Sequence, residues 1–374
     1  MRFADIPGLD EIKGNLIKCV LSNKIHHAQL LQGHEGSGNL VLSLAYASYL
    51  NCLNRTKIDS CGECAACSKI DKLIHPDLHL VFPVSPNAKF TGKDVISANY
   101  LNEWRSFILK NPYQNLNDWN NYYGADNKQG NISKEESRQI IKNLSLMAFE
   151  GQFKVMLIWL PEWMHPSAAN SILKILEEPP DRTLFLMVSH QADNLLPTIL
   201  SRVQSIHIRP FSDQEVEQYL VKQIQVDETR VGQIIQLAQG NMREAIKLIG
   251  SLENDNQDMF QDWMRICYTL DLTKMVGWSD QYQKMGKVAQ KSFLQYAMNM
   301  MRETLIAKVG AHEIARIQES EVEFLTKFES VMDPNKVDKL TAALNQAIYH
   351  LERNANPKIV FLDLSLVIAK TLKA

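Results

Sequence analysis

The fold is decided by Ala28-Gln29-Leu30-Leu31-Gln32-Gly33-His34-Glu35-Gly36-Ser37-Gly38-Asn39-Leu40-Val41-Leu42. Residues 28–31 form a short apolar run, residues 33–38 a glycine-rich turn, and Val41, Leu42 and Leu44 open a helix-compatible run. Strand, tight turn and helix in that order begin a βαβ unit. Further apolar runs at 78–81, 154–160 and 183–188 supply three more buried strands. A helix at 167–176 lies between the last two, with Ala168, Ile172, Ile175 and Leu176 on one face. Strands alternating with helices predict a parallel sheet covered on both sides.

Residues 85–135 interrupt this rhythm with Pro86, Gly92, Pro112, Gly124, Gly130 and many Asn and Asp, and read as a long surface insertion carrying one helix at 99–109. From Ser212 the strand signals stop. Ser212 is a good N-cap for a helix starting at Asp213, a second helix runs over 228–239 up to Gly240, and a third, short one lies within 240–251. Beyond 254 the pattern is wholly helical. Phe293, Leu294, Ala297, Met298, Met301 and Leu305 make one apolar stripe, and Val337, Leu340, Leu344, Ile348 and Leu351 another, both expected to be bundle core.

A chain of 374 residues is too long for one ordinary core, and two or three domains are expected. The pattern divides it into 1–210, with a cysteine module at 52–67 and the insertion at 85–135, a small helical part at 211–252, and a helical part at 253–374. Forty Lys and Arg against forty-two Asp and Glu leave a net charge of −2, so no bulk positive field draws in nucleic acid or an anionic membrane. No segment reads as a signal peptide or a membrane span, and a cytoplasmic protein is expected. Of six cysteines, Cys52, Cys61, Cys64 and Cys67 crowd into one short window, while Cys19 and Cys267 stand alone. The C-x8-C-x2-C-x2-C spacing lets four thiolates converge on a metal, a zinc ion or an iron–sulfur cluster, rather than form disulfides.

The glycine turn has the spacing of a phosphate-binding loop, G-x-x-x-x-G-K-[ST], yet the two positions that do the chemistry differ. Asn39 stands where a lysine would reach the β and γ phosphates, and Leu40 where a hydroxyl would hold Mg²⁺. A charge pair about 4 Å apart is worth on the order of 4 kcal/mol at an effective dielectric near 20, so the loop reads as architectural. A hydrolase of this type also needs an acidic pair at the end of a second buried strand; here those places hold Trp159 and Leu160. Glu162 lies two positions too late and reads as a solvated charge. His75, His165 and His207 have no ligand spacing and read as surface or satisfied core residues.

Met164-His165-Pro166-Ser167-Ala168-Ala169-Asn170-Ser171-Ile172-Leu173-Lys174-Ile175-Leu176-Glu177-Glu178-Pro179-Pro180, followed by Leu195-Leu196-Pro197-Thr198-Ile199-Leu200-Ser201-Arg202, closely resembles the AAA+ subunits of DNA polymerase clamp loaders. His26-His27-Ala28 and Arg353-Asn354-Ala355-Asn356-Pro357-Lys358 are similar to the same family, so the motifs sample the chain from end to end. The resemblance implies an α/β AAA+ domain with a RecA-like parallel sheet, a helical lid at 211–252 and an all-α C-terminal collar at 253–374. It implies a structural Zn²⁺ on Cys52, Cys61, Cys64 and Cys67. It also implies that Ser201-Arg202 presents a solvent-facing guanidinium across a subunit interface to a neighbour's ATP; Val203 replaces the family's Cys.

Gly240-Asn241-Met242-Arg243 resembles the lid motif whose arginine touches nucleotide. With the degenerate loop Gly33, Gly36, Gly38, Asn39 and Leu40, no productive ATP binding is expected, and Arg243 is left to pair with an acidic neighbour. The implied partners are tau/gamma-type and delta-type subunits in a hetero-pentamer, with the sliding clamp and primed DNA reached through that complex. Two rival readings remain. An active ATPase subunit would require Lys at 39 and acids at 159 and 160, and a zinc-dependent nucleic-acid-binding module would require a clustered basic run.

Overall fold

The structure is a computed structural model, and it describes residues 1–125, 128–224, 228–249, 256–308 and 319–373. Two compact units are present: Met1–Tyr219 with Gly240–Arg243, and Leu220–Gln239 with Glu244–Ala374. The expected boundary near 252 lies outside the described residues.

In the first unit, strands β1 (Ala28–Gln32), β2 (Leu78–Val81), β3 (Lys154–Trp159), β4 (Thr183–Ser189) and β5 (Gln204–His207) form one parallel sheet in the order β2-β3-β4-β1-β5. Every residue of β3 and β4 is buried, as strands covered on both faces should be. Helices α1 (Asp10–Leu21), α2 (Asn39–Asn51), α3 (Ala65–Asp71), α4 (Leu101–Lys110), α5 (Leu116–Tyr123), α6 (Lys134–Leu144), α7 (Pro166–Glu177), α8 (Pro197–Leu200) and α9 (Asp213–Tyr219) surround it. Helix α2 is buried along its whole length and lies against β1, β3 and β4. Helices α6 and α7 cover a core of Leu30, Met156, Ile158, Phe185 and Met187. In α7, Ala168, Ala169, Ile172 and Leu176 are buried, while Ile175 packs at the core's edge.

β5 is the strand the sequence conceals. Its residues are mostly exposed and polar, and it is held to the sheet by the backbone ladder with β1, Gln29 to Gln32 against Gln204 to His207. An edge strand needs no apolar signature, because its backbone pairing alone places it.

The insertion also differs from its expected form. It contains two helices, α4 and α5, and it is not a surface appendage. Val84 and Asn131 exchange backbone hydrogen bonds of 3.0 Å each, closing the insertion at its ends. Between them Trp104, Phe107, Ile108 and Trp119 are buried. Phe82, just past β2, stacks on Trp104 at 4.8 Å between centroids and meets Trp119 edge-on at 5.4 Å, while Trp119 donates its Nε1–H to Pro83 O at 2.9 Å. Burying two tryptophans gives a polar-looking segment its own core, a large apolar contribution from few residues.

Past the sheet, the elements among the described residues are helices, and after α9 the α-helices are α10 (Glu228–Ala238), α11 (Met242–Ile249), α12 (Asn256–Thr269), α13 (Leu272–Lys284), α14 (Lys287–Lys308), α15 (Glu319–Val331), α16 (Pro334–Glu352) and α17 (Pro357–Lys373). The second unit's core joins Phe293, Leu294, Ala297 and Met301 of α14 to Val337, Leu340 and Leu344 of α16, with Met298, Leu305, Ile348 and Leu351 packed at its margin. Both stripes are therefore core. Trp263 anchors α12 to α17, donating to Ser365 Oγ at 2.9 Å and stacking on Phe361 at 4.7 Å. Among the described residues no helix is long and apolar enough to cross a membrane.

Candidate functional site: the glycine loop, the arginine and the cysteine centre

The glycine loop leaves β1 between β4 and β5. Gly36 has φ +76°, and a Cβ there would lie 1.8 Å from Asn241 Oδ1; a Cβ on Gly33 would lie 2.5 Å from Ser37 Oγ. These two glycines are demanded by backbone shape and crowding, whether or not a phosphate ever binds. Asn39, the lysine position, is buried, and its Nδ2 donates to Ser189 O at 3.1 Å and to Gly33 O at 3.5 Å. The amide ties the helix start to the end of β4 where a lysine would extend toward phosphate. Leu40 is buried as well.

Val188 pairs with Leu31 on one side and Trp159 on the other, so Trp159 stands level with the end of β1, two strands or about 10 Å away. Trp159 is fully buried and meets Trp104 of the insertion edge-on at 6.2 Å; Leu160 is buried with φ +57°. An aromatic contact thus fills the ground on which a metal-binding acid pair would stand.

Glu162 corrects the expectation of a solvated charge. The short turn Pro161–Trp163 folds it back, and its Oε1 accepts from the backbone N–H of His190 at 2.9 Å and of Gln191 at 3.3 Å. Burial raises its pKa, against the pull of those N–H groups. Its place on the turn after a positive-φ residue, invisible to a position count, makes it a cap for the end of β4. His190 is held neutral, its pKa lowered to about 4 mainly by burial.

The lid-motif residues reach the loop: Met242 N–H donates to Gly36 O at 3.1 Å. Arg243 forks onto Asp118 of α5, Nε to Oδ2 at 2.5 Å and Nη2 to Oδ1 at 3.0 Å, in accord with the expected acidic partner. Asn115, the N-cap of α5, donates Nδ2–H to Glu35 Oε2 at 2.7 Å. Sequence reasoning missed both insertion residues, although Asn115-x-x-Asp118 is a legible capping box.

Arg202 follows α8, and its guanidinium is partly open to solvent while held by its neighbours. Its side chain is 30% exposed. Nε and Nη2 grip Glu177 at the end of α7, at 2.6 and 2.5 Å, and Nη1 donates to Thr198 O at 2.8 Å and Ser201 Oγ at 3.1 Å. Both Glu177 contacts meet one oxygen, Oε1, and together with Thr198 and Ser201 they orient the guanidinium. Of the histidines, His75 is buried, His165 caps α7, and His207 contacts Gln32, in line with structural roles.

Cys52 ends α2, Cys61 and Cys64 lie in the following turn, and Cys67 is within α3. All four sulfurs fall within 4.8 Å of one another, with Cys52 to Cys61 at 3.5 Å and Cys61 to Cys67 at 3.9 Å. A tetrahedral ion with bonds of about 2.3 Å separates its sulfurs by about 3.8 Å, so the set fits a single metal. Backbone N–H groups of Glu63 and Cys64 lower the Cys61 pKa, and those of Cys67 and Leu53, working against burial, bring Cys64 to about 6. These effects favour the thiolate, the form that binds metal, at Cys61 and Cys64, whereas burial pushes the Cys52 thiol up to about 12 and raises that of Cys67.

A parallel sheet in this strand order, a glycine loop after β1 and a trailing all-α part define an AAA+ fold. The family described as DNA polymerase III, delta subunit, matches residues 8–212, and the chain belongs to it. Curated relatives are named delta' on one side and tau, gamma or tau/gamma on the other. The chain is 31% identical to the DNA polymerase III subunit delta' of Yersinia pestis, over 47% of this chain and 40% of the relative, and 27% identical to that of Bacillus subtilis, over 56% and 50%. It is 24% identical to the subunit tau/gamma of Haemophilus influenzae, over 66% of this chain and 30% of the relative. These matches thus span half or less of each relative's length. A solved gamma-subunit-related protein from Thermotoga maritima aligns over 98% of this chain and all of its own at 12% identity with a TM-score of 0.41, too loose a likeness to carry an argument.

Proposed function

We propose that this chain is a non-hydrolysing, delta-prime-like subunit of a DNA polymerase III clamp loader. It would work in the cytoplasm beside tau/gamma-type and delta-type subunits in a hetero-pentamer that places the sliding clamp on primed DNA. The observation that carries the reading is Asn39: its amide is spent on Ser189 O and Gly33 O, while Trp159 and Leu160 are buried where an acid pair would be needed. An active ATPase of the tau/gamma type requires the reverse chemistry at all three places. Within the proposal the chain has three parts, an AAA+ domain to 210, a lid at 211–252 and a collar at 253–374. Cys52, Cys61, Cys64 and Cys67 hold a structural zinc, which supplies folding energy to the turn between α2 and α3 and takes no part in chemistry.

Arg202 is the residue offered to a neighbouring subunit's ATP, and Glu177 holds it ready. A bidentate arginine stabilises charge developing on the γ-phosphate and is worth about a thousandfold or more in turnover. The test uses an assembled loader whose other ATPase sites are inactivated. Arg202→Ala should leave assembly intact and cut hydrolysis at the adjacent site by at least tenfold, with Arg202→Lys recovering part of it, since a point charge cannot reproduce the fork. Unchanged hydrolysis in an assembled Arg202→Ala loader would refute the role in trans.

A further inference from the structure

The contacts of α5 point beyond a loop that has merely lost its ligand. Asp118 gives Arg243 both carboxylate oxygens, at 2.5 and 3.0 Å, the two-oxygen geometry by which an arginine takes a phosphate. Arg243 and Asp118 are 11% and 15% exposed, so water screens the pair little. Three residues before it, Asn115 holds Glu35 of the loop itself at 2.7 Å. The capping box fixes the two residues to each other: Asp118 N–H donates to Asn115 Oδ1 at 3.0 Å, and Asn115 N–H to Asp118 Oδ2 at 3.2 Å. Between these anchors, Met242 N–H meets Gly36 O at 3.1 Å and Asn241 sits against Gly36, where any side chain would collide with it. The helix that carries the anchors is held from behind by the buried indole of Trp119, bonded to Pro83 O at 2.9 Å.

We infer that the insertion is a built-in occupant of the glycine loop: Asp118 takes the place at Arg243 that a nucleotide phosphate would take, and Asn115 pins the loop, so that loop and lid motif stay closed on each other with no nucleotide. The inference rests on the reading that the loop binds no nucleotide, and it explains how the loop and residues 240–243 stay paired without a ligand. Glu35 strengthens it. A carboxylate in a phosphate loop repels a phosphate, whereas here it accepts a hydrogen bond from the occupant.

Hydrogen exchange on the full-length chain tests it. Asp118→Asn keeps a side chain that can still cap α5 but removes the charge from Arg243. Exchange across residues 33–40 and 240–243, the amide of Met242 above all, should accelerate tenfold or more, while residues 52–71 and 256–308 keep their protection. The exchanged pair, Asp118→Arg with Arg243→Asp, should recover protection that each single substitution loses. Unchanged exchange in Asp118→Asn overturns the inference. So does acceleration throughout the chain, or a loss the exchanged pair fails to repair, because either assigns the effect to packing of α5. Mg-ATP titrated into the same samples separates the two readings: uptake by the unaltered chain defeats the non-binding reading, while unchanged exchange without uptake defeats the built-in occupant alone.

Discussion

Asn39 shows how one substitution alters a site without disturbing a fold. A buried amide needs partners, and the carbonyls of Ser189 and Gly33 are within reach, so the loop keeps its shape while losing its cation. The loss was legible in the sequence as the wrong residue at a known spacing; what replaced the chemistry was not, because carbonyl positions are set by neighbouring strands. Glu215 carries a prediction at the same scale. Arg209 forks onto it at 2.6 and 2.7 Å, and the backbone N–H groups of Ser212, at 2.7 Å, and Leu9, at 3.4 Å, add to the site. Chiefly through Arg209, its pKa is lowered to about 2. A carboxylate depressed in the fold adds stability that is present above its unfolded pKa, about 4.3, and lost as pH falls through the folded value. Glu215→Gln should therefore cost about 1 kcal/mol at pH 7, and the gap to the unaltered chain should close between about pH 4.3 and 2 in urea titrations. A gap that is constant with pH would remove the charge from the explanation.

Elements were legible in proportion to their apolar content. Strands β1, β2, β3 and β4 carry buried runs and emerge from the sequence within a residue or two, and the stripes of α14 and α16 emerge as core. β5 does not, since pairing with β1 rather than side-chain burial defines it. The insertion misleads for another reason: its Asn, Asp, Gly and Pro residues mark turns, while Trp104 and Trp119 form a core only after Phe82 and Trp159 are brought to them. The cysteine turn depends on a third kind of support. Its expected content is one zinc per chain by elemental analysis; Cys64→Ser or chelation should loosen residues 52–71 in hydrogen exchange and lower the melting temperature by roughly 5 °C or more, leaving the second unit folded. Zinc-free native protein, or iron with visible absorbance, would contradict the assignment.

For the whole molecule, near-neutral charge and the absence of a long apolar helix among the described residues exclude little by themselves. The proposed function rests instead on the set of replacements around β1: an amide for a lysine, leucine for a hydroxyl, tryptophan and leucine for acids, and Asp118 at Arg243. Each alone would weaken nucleotide binding, and all point one way. The most direct measurement is calorimetric titration of Mg-ATP into the purified chain, paired with a hydrolysis assay on material purified to homogeneity. No saturable heat at micromolar to tens-of-micromolar nucleotide and no turnover are expected. A micromolar Mg-ATP site, or turnover that survives purification, would contradict the proposed function.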